Sequence, residues 1–125
     1  MKIRILYFGL SRFPKLTKEE QVEKVMGEIK EHYAEQPFTE KWYYELADVY
    51  IAATHGWVRF GDLTCKFIME QIENREDFCN LINYVEEKMN INEGRTWNGS
   101  QHVKKKTIKR INYKTGVITE EEIDA

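Results

Sequence analysis

The stretch ELADVYIAA, residues 45–53, decides the fold of this chain of 125 residues. It lies within a predicted helix from about Glu40 to Arg59, which Thr39 can cap. After Asp48 this helix is apolar nearly all round, from Val49 to Ala53. A helix of that composition is central and mostly buried in its fold. Its predicted apolar face consists of Tyr43, Leu46, Ala47, Tyr50, Ala53 and Trp57.

Three more helices are predicted around this central one. The first opens after Pro14 with the capping box Thr17-x-x-Glu20 and ends at Gln36-Pro37. The other two follow Gly61 and cover about residues 63–73 and 76–90. Each of the three has apolar residues spaced mostly three or four apart. These are Val22, Val25, Met26, Ile29 and Tyr33, then Leu63, Phe67, Ile68 and Ile72, and finally Phe78, Leu81, Ile82, Val85 and Met89.

The two ends of the chain have a different character. In residues 2–8, Ile3, Ile5 and Tyr7 alternate with other residues, which predicts a short strand or extended arm. The sequence as a whole predicts an all-α fold, an antiparallel bundle of about four helices, with this N-terminal strand and a C-terminal β-hairpin. Residues 1–99 form the helical domain in this prediction, and residues 100–125 form the hairpin or a flexible tail.

The C-terminal segment combines a basic run with an acidic one. Lys104–Lys106, Lys109 and Arg110 precede the turn-forming residues 114–116, and Glu120–Glu122 and Asp124 follow them. A hairpin would place Lys109 opposite about Glu120 and Lys105 opposite about Asp124, so that opposite charges face each other. The alternatives are contact of the basic run with nucleic acid and disorder of the last residues.

Composition narrows the class of protein. Hydrophobic residues make up 42% of the chain and aromatic residues 13%, which is typical of a globular domain with one core. The net charge is −2, so no overall field favours binding to nucleic acid or to an anionic membrane. A membrane-spanning helix needs a run of about 18 apolar residues, and the sequence has no run of that length. Cys65 and Cys79 match no metal-ligand spacing, and we expect reduced thiols in a cytoplasmic protein.

Two acidic pairs predict a metal site. Glu28-x-x-Glu31 and Glu45-x-x-Asp48 each place two carboxylates on one face of a helical turn, and 13 residues separate the pairs. That interval suffices to end one helix and start a second that runs back beside it, so the four carboxylates would converge. Such a cluster needs compensating charge, because like charges repel and burial is costly. Mg²⁺ is the expected occupant, and it typically binds together with phosphate groups.

Three stretches between residues 13 and 97 carry a resemblance to a known family. They are Phe13-Pro14-x-x-Thr17 followed by Gln21 and Lys24, then Glu45-Leu-Ala-Asp48-Val-Tyr-Ile, and Lys88-Met-x-x-Asn92-x-x-Arg95-x-Trp97. With the acidic pairs, they resemble the MazG-like all-α NTP pyrophosphohydrolases, and most of all the small phage and bacterial branch related to dATP/dGTP diphosphohydrolases. Glu20-x-x-Glu23 is a second candidate for the first pair, but the position of Phe13-Pro14-x-x-Thr17 favours Glu28 and Glu31. Gly27 stands where relatives often carry another acid.

The resemblance implies a function for these residues. The expected activity is Mg²⁺-dependent hydrolysis of a (d)NTP, with a purine dNTP favoured, to the (d)NMP and pyrophosphate. Glu28, Glu31, Glu45 and Asp48 would hold Mg²⁺, with Mn²⁺ as an alternative, and Glu28 or Glu31 would act as the catalytic base. Lys88, Asn92 and Arg95 would contact phosphate or sugar, and Trp97 would stack on a base or cover the end of the bundle. A homodimer or homotetramer is expected, with no membrane or nucleic-acid partner.

The acidic pairs allow two other interpretations. A carboxylate di-iron bundle needs Glu-x-x-His motifs. Here His32 directly follows Glu31 and lies four residues after Glu28, which is the wrong spacing. A non-enzymatic interaction module, with solvated acids and a nucleic-acid-binding basic tail, stays open. His55, beside Gly56, is expected to be a packed or partly exposed histidine and not a ligand.

Overall fold

The computed structural model describes residues 1–95 in full, and the strands beyond them by their backbone alone. Its five helices are α1 (Lys2–Arg12), α2 (Lys18–Tyr33), α3 (Glu40–Phe60), α4 (Leu63–Glu73) and α5 (Phe78–Gly94). The strands are β1 (Trp97–Asn98), β2 (Gln101–His102), β3 (Lys106–Asn112) and β4 (Val117–Ile123). The predicted all-α fold is therefore confirmed for residues 1–95, with five helices in place of about four.

The prediction of an N-terminal strand is wrong, because residues 2–12 form helix α1. The prediction assumed that the alternating residues Ile3, Ile5 and Tyr7 share one buried face. Ile5 and Gly9, one helical turn apart, are the buried residues of α1, whereas Ile3 and Tyr7 are 70% and 68% exposed. Packing of Ile5 and Gly9 on the body of the protein selects the helical period over the strand period.

Helix α3 is the centre of the fold, as predicted. Every residue from Val49 to Gly56 is buried, and α3 contacts each of the other four helices. Side chains define both of its ends. Thr39 accepts a hydrogen bond from the Trp42 amide at the start, and Gly61 adopts a left-handed conformation with φ of 67° just past the end.

Some predicted core residues lie on the surface instead. On α2 the buried residues are Gln21, Val25 and His32, so the face that packs on α3 is rotated from the predicted apolar stripe. On α4 the buried residues are Cys65, Met69 and Ile72. The predicted core residues that are exposed instead are Met26 and Tyr33 on α2, and Leu63 and Phe67 on α4. Polar side chains with buried partners, described below, explain the rotation of α2.

The strands form two antiparallel pairs, β1 with β2 and β3 with β4. The backbone register of the second pair places Lys109 opposite Glu120. The predicted pairing of Lys105 with Asp124, and the turn at residues 114–116, lie outside the described residues. Across the described part of the chain, no helix combines the length and the apolar character that a membrane crossing requires.

Candidate functional site

Two buried hydrogen bonds set the register between α2 and α3. Near the start of α2, Gln21 Nε2 donates to the backbone oxygen of Ala52 at 2.8 Å. Near its end, His32 Nδ1–H donates to the backbone oxygen of Trp42 at 3.1 Å. Both side chains are buried, so the antiparallel helices cannot slide without leaving polar groups unpaired. The segments that carry the two acidic pairs lie between these two bonds.

This register brings three of the predicted acids together. Glu28, Glu31 and Glu45 each place one carboxylate oxygen so that all three oxygens lie within 4.8 Å of one another. All three acids line one cavity of the protein, and Asp48, one turn beyond Glu45, lines it too. Asp48 forms an ion pair with Lys88, whose Nζ is 3.1 Å from Asp48 Oδ2. Glu28 and Glu45 are partly buried, whereas Glu31 is exposed at the rim.

The acids carry charge that the surrounding protein compensates only in part. Burial raises the pKa of Glu28 to about 8, and the charges of Asp48 and Glu31 add to this effect. Burial also raises the pKa of Glu45 and of Asp48, and the Lys88 ammonium opposes the rise at Asp48. Glu28 Oε2 and Glu45 Oε2 are buried and accept no hydrogen bond from any described residue. Both oxygens therefore suit a cation, which would supply the missing interaction.

Cationic and amide side chains from the end of α5 line the same cavity as the acids. Lys88 and Asn92, one turn apart on α5, line it, and so does Arg95 just past the end of that helix. The structure therefore joins three of the four predicted substrate-binding residues to the acids. It also shows the pairing of Lys88 with Asp48, which was not predicted. The side chain of Trp97 lies outside the described part of the chain.

Lys24 lines the cavity near the acids. It is one turn before Glu28 on α2, and its Nζ lies 4.8 Å from the centre of the Phe13 ring. Burial lowers the pKa of Lys24, whereas the charges of Glu28 and Asp48 raise it. Lys24 thus contributes positive charge next to the acidic cluster.

Toward the start of α2 the cavity has a group of apolar lining residues, beside the charged side chains of Glu20, Glu23 and Lys24. Its total volume is about 650 Å³, which is within the usual range for small-molecule sites. The apolar end is lined by Ile5, Phe8, Phe13, Leu16 and Ile51, together with Gln21 and His55.

His55 is 5% exposed, and its ring packs directly on Gly9. A Cβ at position 9 would lie 2.2 Å from His55 Nε2, so glycine is required for this approach of α1 to α3. Burial lowers the pKa of His55 to about 4, with the charge of Arg59 as a further cause, so the ring is neutral at pH 7.

Arg59 fixes the segment that closes this apolar end. Its Nη1 donates to the backbone oxygens of Gly9 at 3.3 Å and Phe13 at 2.9 Å, and its Nη2 donates to that of Pro14 at 3.1 Å. The guanidinium thereby binds the end of α1 and the following turn to the last turn of α3. Sequence reasoning missed this residue, because a lone arginine at a helix end gives no signal of its distant partners.

The alternative acidic pair has a different role. Glu20 and Glu23 border the cavity, but both are exposed. Glu20 completes the predicted capping box, since its Oε1 accepts from the Thr17 amide at 3.0 Å while Thr17 Oγ1 accepts from the Glu20 amide. The Glu20 carboxylate is therefore engaged in capping the start of α2.

Comparison with known proteins identifies no relative of this chain. No family model and no curated protein matches its sequence, and no solved structure matches its fold.

Proposed function

We propose that this protein is a Mg²⁺-dependent nucleoside triphosphate pyrophosphohydrolase of the MazG-like type. It would cleave the bond between the α and β phosphates of a (d)NTP, with a purine dNTP as the favoured substrate. One observation carries the proposal. Three carboxylate oxygens within 4.8 Å of one another lie in a cavity that Lys88, Asn92 and Arg95 also line. A cation site beside positively charged side chains is the arrangement that a metal-bound polyphosphate requires.

The acids fit a hard divalent cation. The donor set consists of carboxylates alone, which Mg²⁺ and Mn²⁺ prefer over nitrogen or sulfur ligands. Glu28 Oε2 and Glu45 Oε2 are buried oxygens without a donor among the described residues. Glu28, Glu31, Glu45 and Asp48 would hold the ion, and the bound ion would neutralise the substrate's phosphate charge.

The side chains around the acids supply the remaining functions. Lys88 and Arg95 would bind the phosphate oxygens, and Asn92 would donate a hydrogen bond to phosphate or sugar. Glu28 or Glu31 would accept a proton from the attacking water. The new bond joins the water oxygen to a phosphorus atom while the bridging P–O bond breaks, which releases the nucleoside monophosphate and pyrophosphate. The apolar end of the cavity would exclude bulk water from the rest of the substrate.

A homodimer or homotetramer is part of the proposal. Support comes from large apolar side chains that α1 and α4 expose to solvent, since exposed apolar surface favours association. On α1 these are Ile3, Tyr7 and Leu10, and on α4 they are Leu63 and Phe67.

A nucleotide screen tests the proposal. All standard ribo- and deoxyribonucleoside triphosphates are incubated with Mg²⁺, and pyrophosphate release is measured. We expect turnover that EDTA abolishes, and a loss of about 100-fold or more in kcat/KM for Glu45→Gln and Asp48→Asn. Glu76→Gln is the matched control, because Glu76 is exposed in the link between α4 and α5.

Two results would contradict the proposal. Full activity of both site variants would remove the assignment of the acids. Absence of turnover with every nucleotide would favour the interaction module, and salt-sensitive nucleic-acid binding that depends on residues 100–125 would support that alternative directly.

A further inference from the structure

Gln21 carries a buried amide oxygen that has no hydrogen-bond partner among the described residues. Its side chain is 1% exposed and borders the apolar end of the cavity. Nε2 donates to the Ala52 backbone oxygen at 2.8 Å, and this bond fixes the orientation of the amide, because a carbonyl oxygen can only accept. Oε1 is buried and receives no hydrogen bond from any residue in the described part of the chain. A buried acceptor of this kind is costly unless a ligand donates to it.

The position of Gln21 relative to the acids matches the length of a nucleotide. Gln21 precedes Glu28 by seven residues on α2, and Ala52 follows Glu45 by seven on α3. Seven residues are two helical turns, roughly 10 Å along the axis. A nucleotide extends over a comparable distance from its 5′ phosphate to the outer edge of its base. A nucleotide that lies along these helices with its phosphate at the acids would therefore have its base at the level of Gln21.

The surroundings of Gln21 suit a flat ring with polar edges. Phe13 is 6% exposed, and the Phe8 and Phe13 rings meet edge to face with centres 5.8 Å apart. Apolar walls of this kind hold the faces of a nucleobase, and a small number of polar groups select among base edges. Gln21 offers a free acceptor, whereas its amide nitrogen is engaged by Ala52. A base edge that presents an amino group therefore fits better than one that presents a carbonyl oxygen.

We propose that Gln21 recognises the nucleobase, and that its Oε1 accepts a hydrogen bond from an exocyclic amino group. The inference rests on the proposed function and names a base subsite for it. It favours nucleotides of adenine, guanine or cytosine, whose bases carry an exocyclic amino group, over those of uracil and thymine, whose base has only the ring N3–H as a donor.

The test removes the same hydrogen bond from the protein and from the substrate. The best substrate among dATP, dGTP and dCTP is compared with its analogue that lacks only the exocyclic amino group. Both are assayed with the wild type and with Gln21→Met, which keeps the length of the side chain. Gln71→Met is the matched control, because Gln71 is exposed on α4.

We expect the amino group to matter only when Gln21 is present. Its removal should lower kcat/KM of the wild type by about 10- to 100-fold, the range for a lost hydrogen bond in a buried polar site. The same removal should change kcat/KM of Gln21→Met by less than about 3-fold, and Gln71→Met should behave as the wild type. A general loss of activity in the variant cancels, because each ratio is taken within one protein.

Three results would overturn the inference. One is an equal loss for both proteins when the amino group is removed, as would follow if only a bound water occupied the amide oxygen. A second is a best substrate that carries uracil or thymine. The third is equal turnover of the two substrates by the wild type, which is decisive even if Gln21→Met fails to fold. Absence of any turnover by the wild type is a different failure, because it removes the proposed function on which the inference rests.

Discussion

Glu28→Gln should stabilise the metal-free protein, and the gain should grow with pH. In the unfolded chain this carboxyl group ionises near pH 4.5, but in the folded protein its pKa is about 8, chiefly because of burial. The folded state therefore binds more protons than the unfolded state between these values, and stability falls as the pH rises through this range. Glutamine carries no charge in either state, so it removes this loss.

The structure sets the size of the effect. One pH unit corresponds to about 1.4 kcal/mol, so the interval from 4.5 to 7 gives an upper limit of about 3.4 kcal/mol. Solvent reaches the partly exposed Glu28 side chain, and neighbouring acids share the proton, which together reduce the expected gain to about 1–2 kcal/mol at pH 7. At pH 4.5 the difference should nearly vanish.

Urea unfolding at pH 4.5, 6, 7 and 8 in EDTA measures this difference. Glu76→Gln serves as the control, since it changes the net charge equally at an exposed site. Added Mg²⁺ should stabilise the wild type in proportion to the logarithm of its concentration, and Glu28→Gln much less. Parallel stability curves for wild type and Glu28→Gln over the whole pH range would refute the reasoning.

Two further substitutions test other parts of the structure. Gly9→Ala should destabilise the protein by about 1–3 kcal/mol, because the new Cβ would lie 2.2 Å from His55 Nε2. Gly27→Ala should instead stabilise it by about 0.5–1 kcal/mol, because nothing lies within 4 Å of a Cβ at that helical position. Thermal unfolding of both variants decides this, and equal shifts would contradict the close packing of α1. Lys88→Met should raise KM for nucleotide about 10-fold, because it removes a positive charge that would bind phosphate. It should also shift the ascending limb of the pH profile of kcat/KM to higher pH, because the Lys88 ammonium opposes the rise in the pKa of Asp48. An unchanged pH profile of kcat/KM would show that this ion pair does not influence the site.

The sequence predicted the parts of the fold that depend on local pattern. Helix α3 was predicted because an apolar run from Val49 to Ala53 inside a helical period has no other stable environment than a core. The capping box at Thr17 and the glycine at position 61 likewise act on their own neighbours. Helix α1 was missed because Ile5 and Gly9 become a helical face only when another element packs against them.

The candidate site was predictable in its residues but not in its register. Glu28 and Glu45 stand out by their spacing, yet their approach depends on how α2 lies on α3. That arrangement follows from buried bonds of Gln21 and His32 to backbone oxygens of α3, and the sequence names no such acceptors. The polar residues on the packed face of α2 displaced the expected apolar stripe, and for this reason Met26 and Tyr33 are exposed.

The three carbonyl oxygens bound by Arg59 have a consequence for how the cavity can change shape. Arg59 belongs to the helix that carries Glu45 and Asp48, so the turn at Phe13 and Pro14 is tied to the same rigid rod as the acids. Displacing that turn would require the simultaneous loss of the two hydrogen bonds that the Phe13 and Pro14 carbonyl oxygens accept from one guanidinium, while the third bond holds α1 at Gly9. The dimensions of the apolar end are therefore set in advance, and a molecule too large for it would be rejected, because the turn cannot readily move aside.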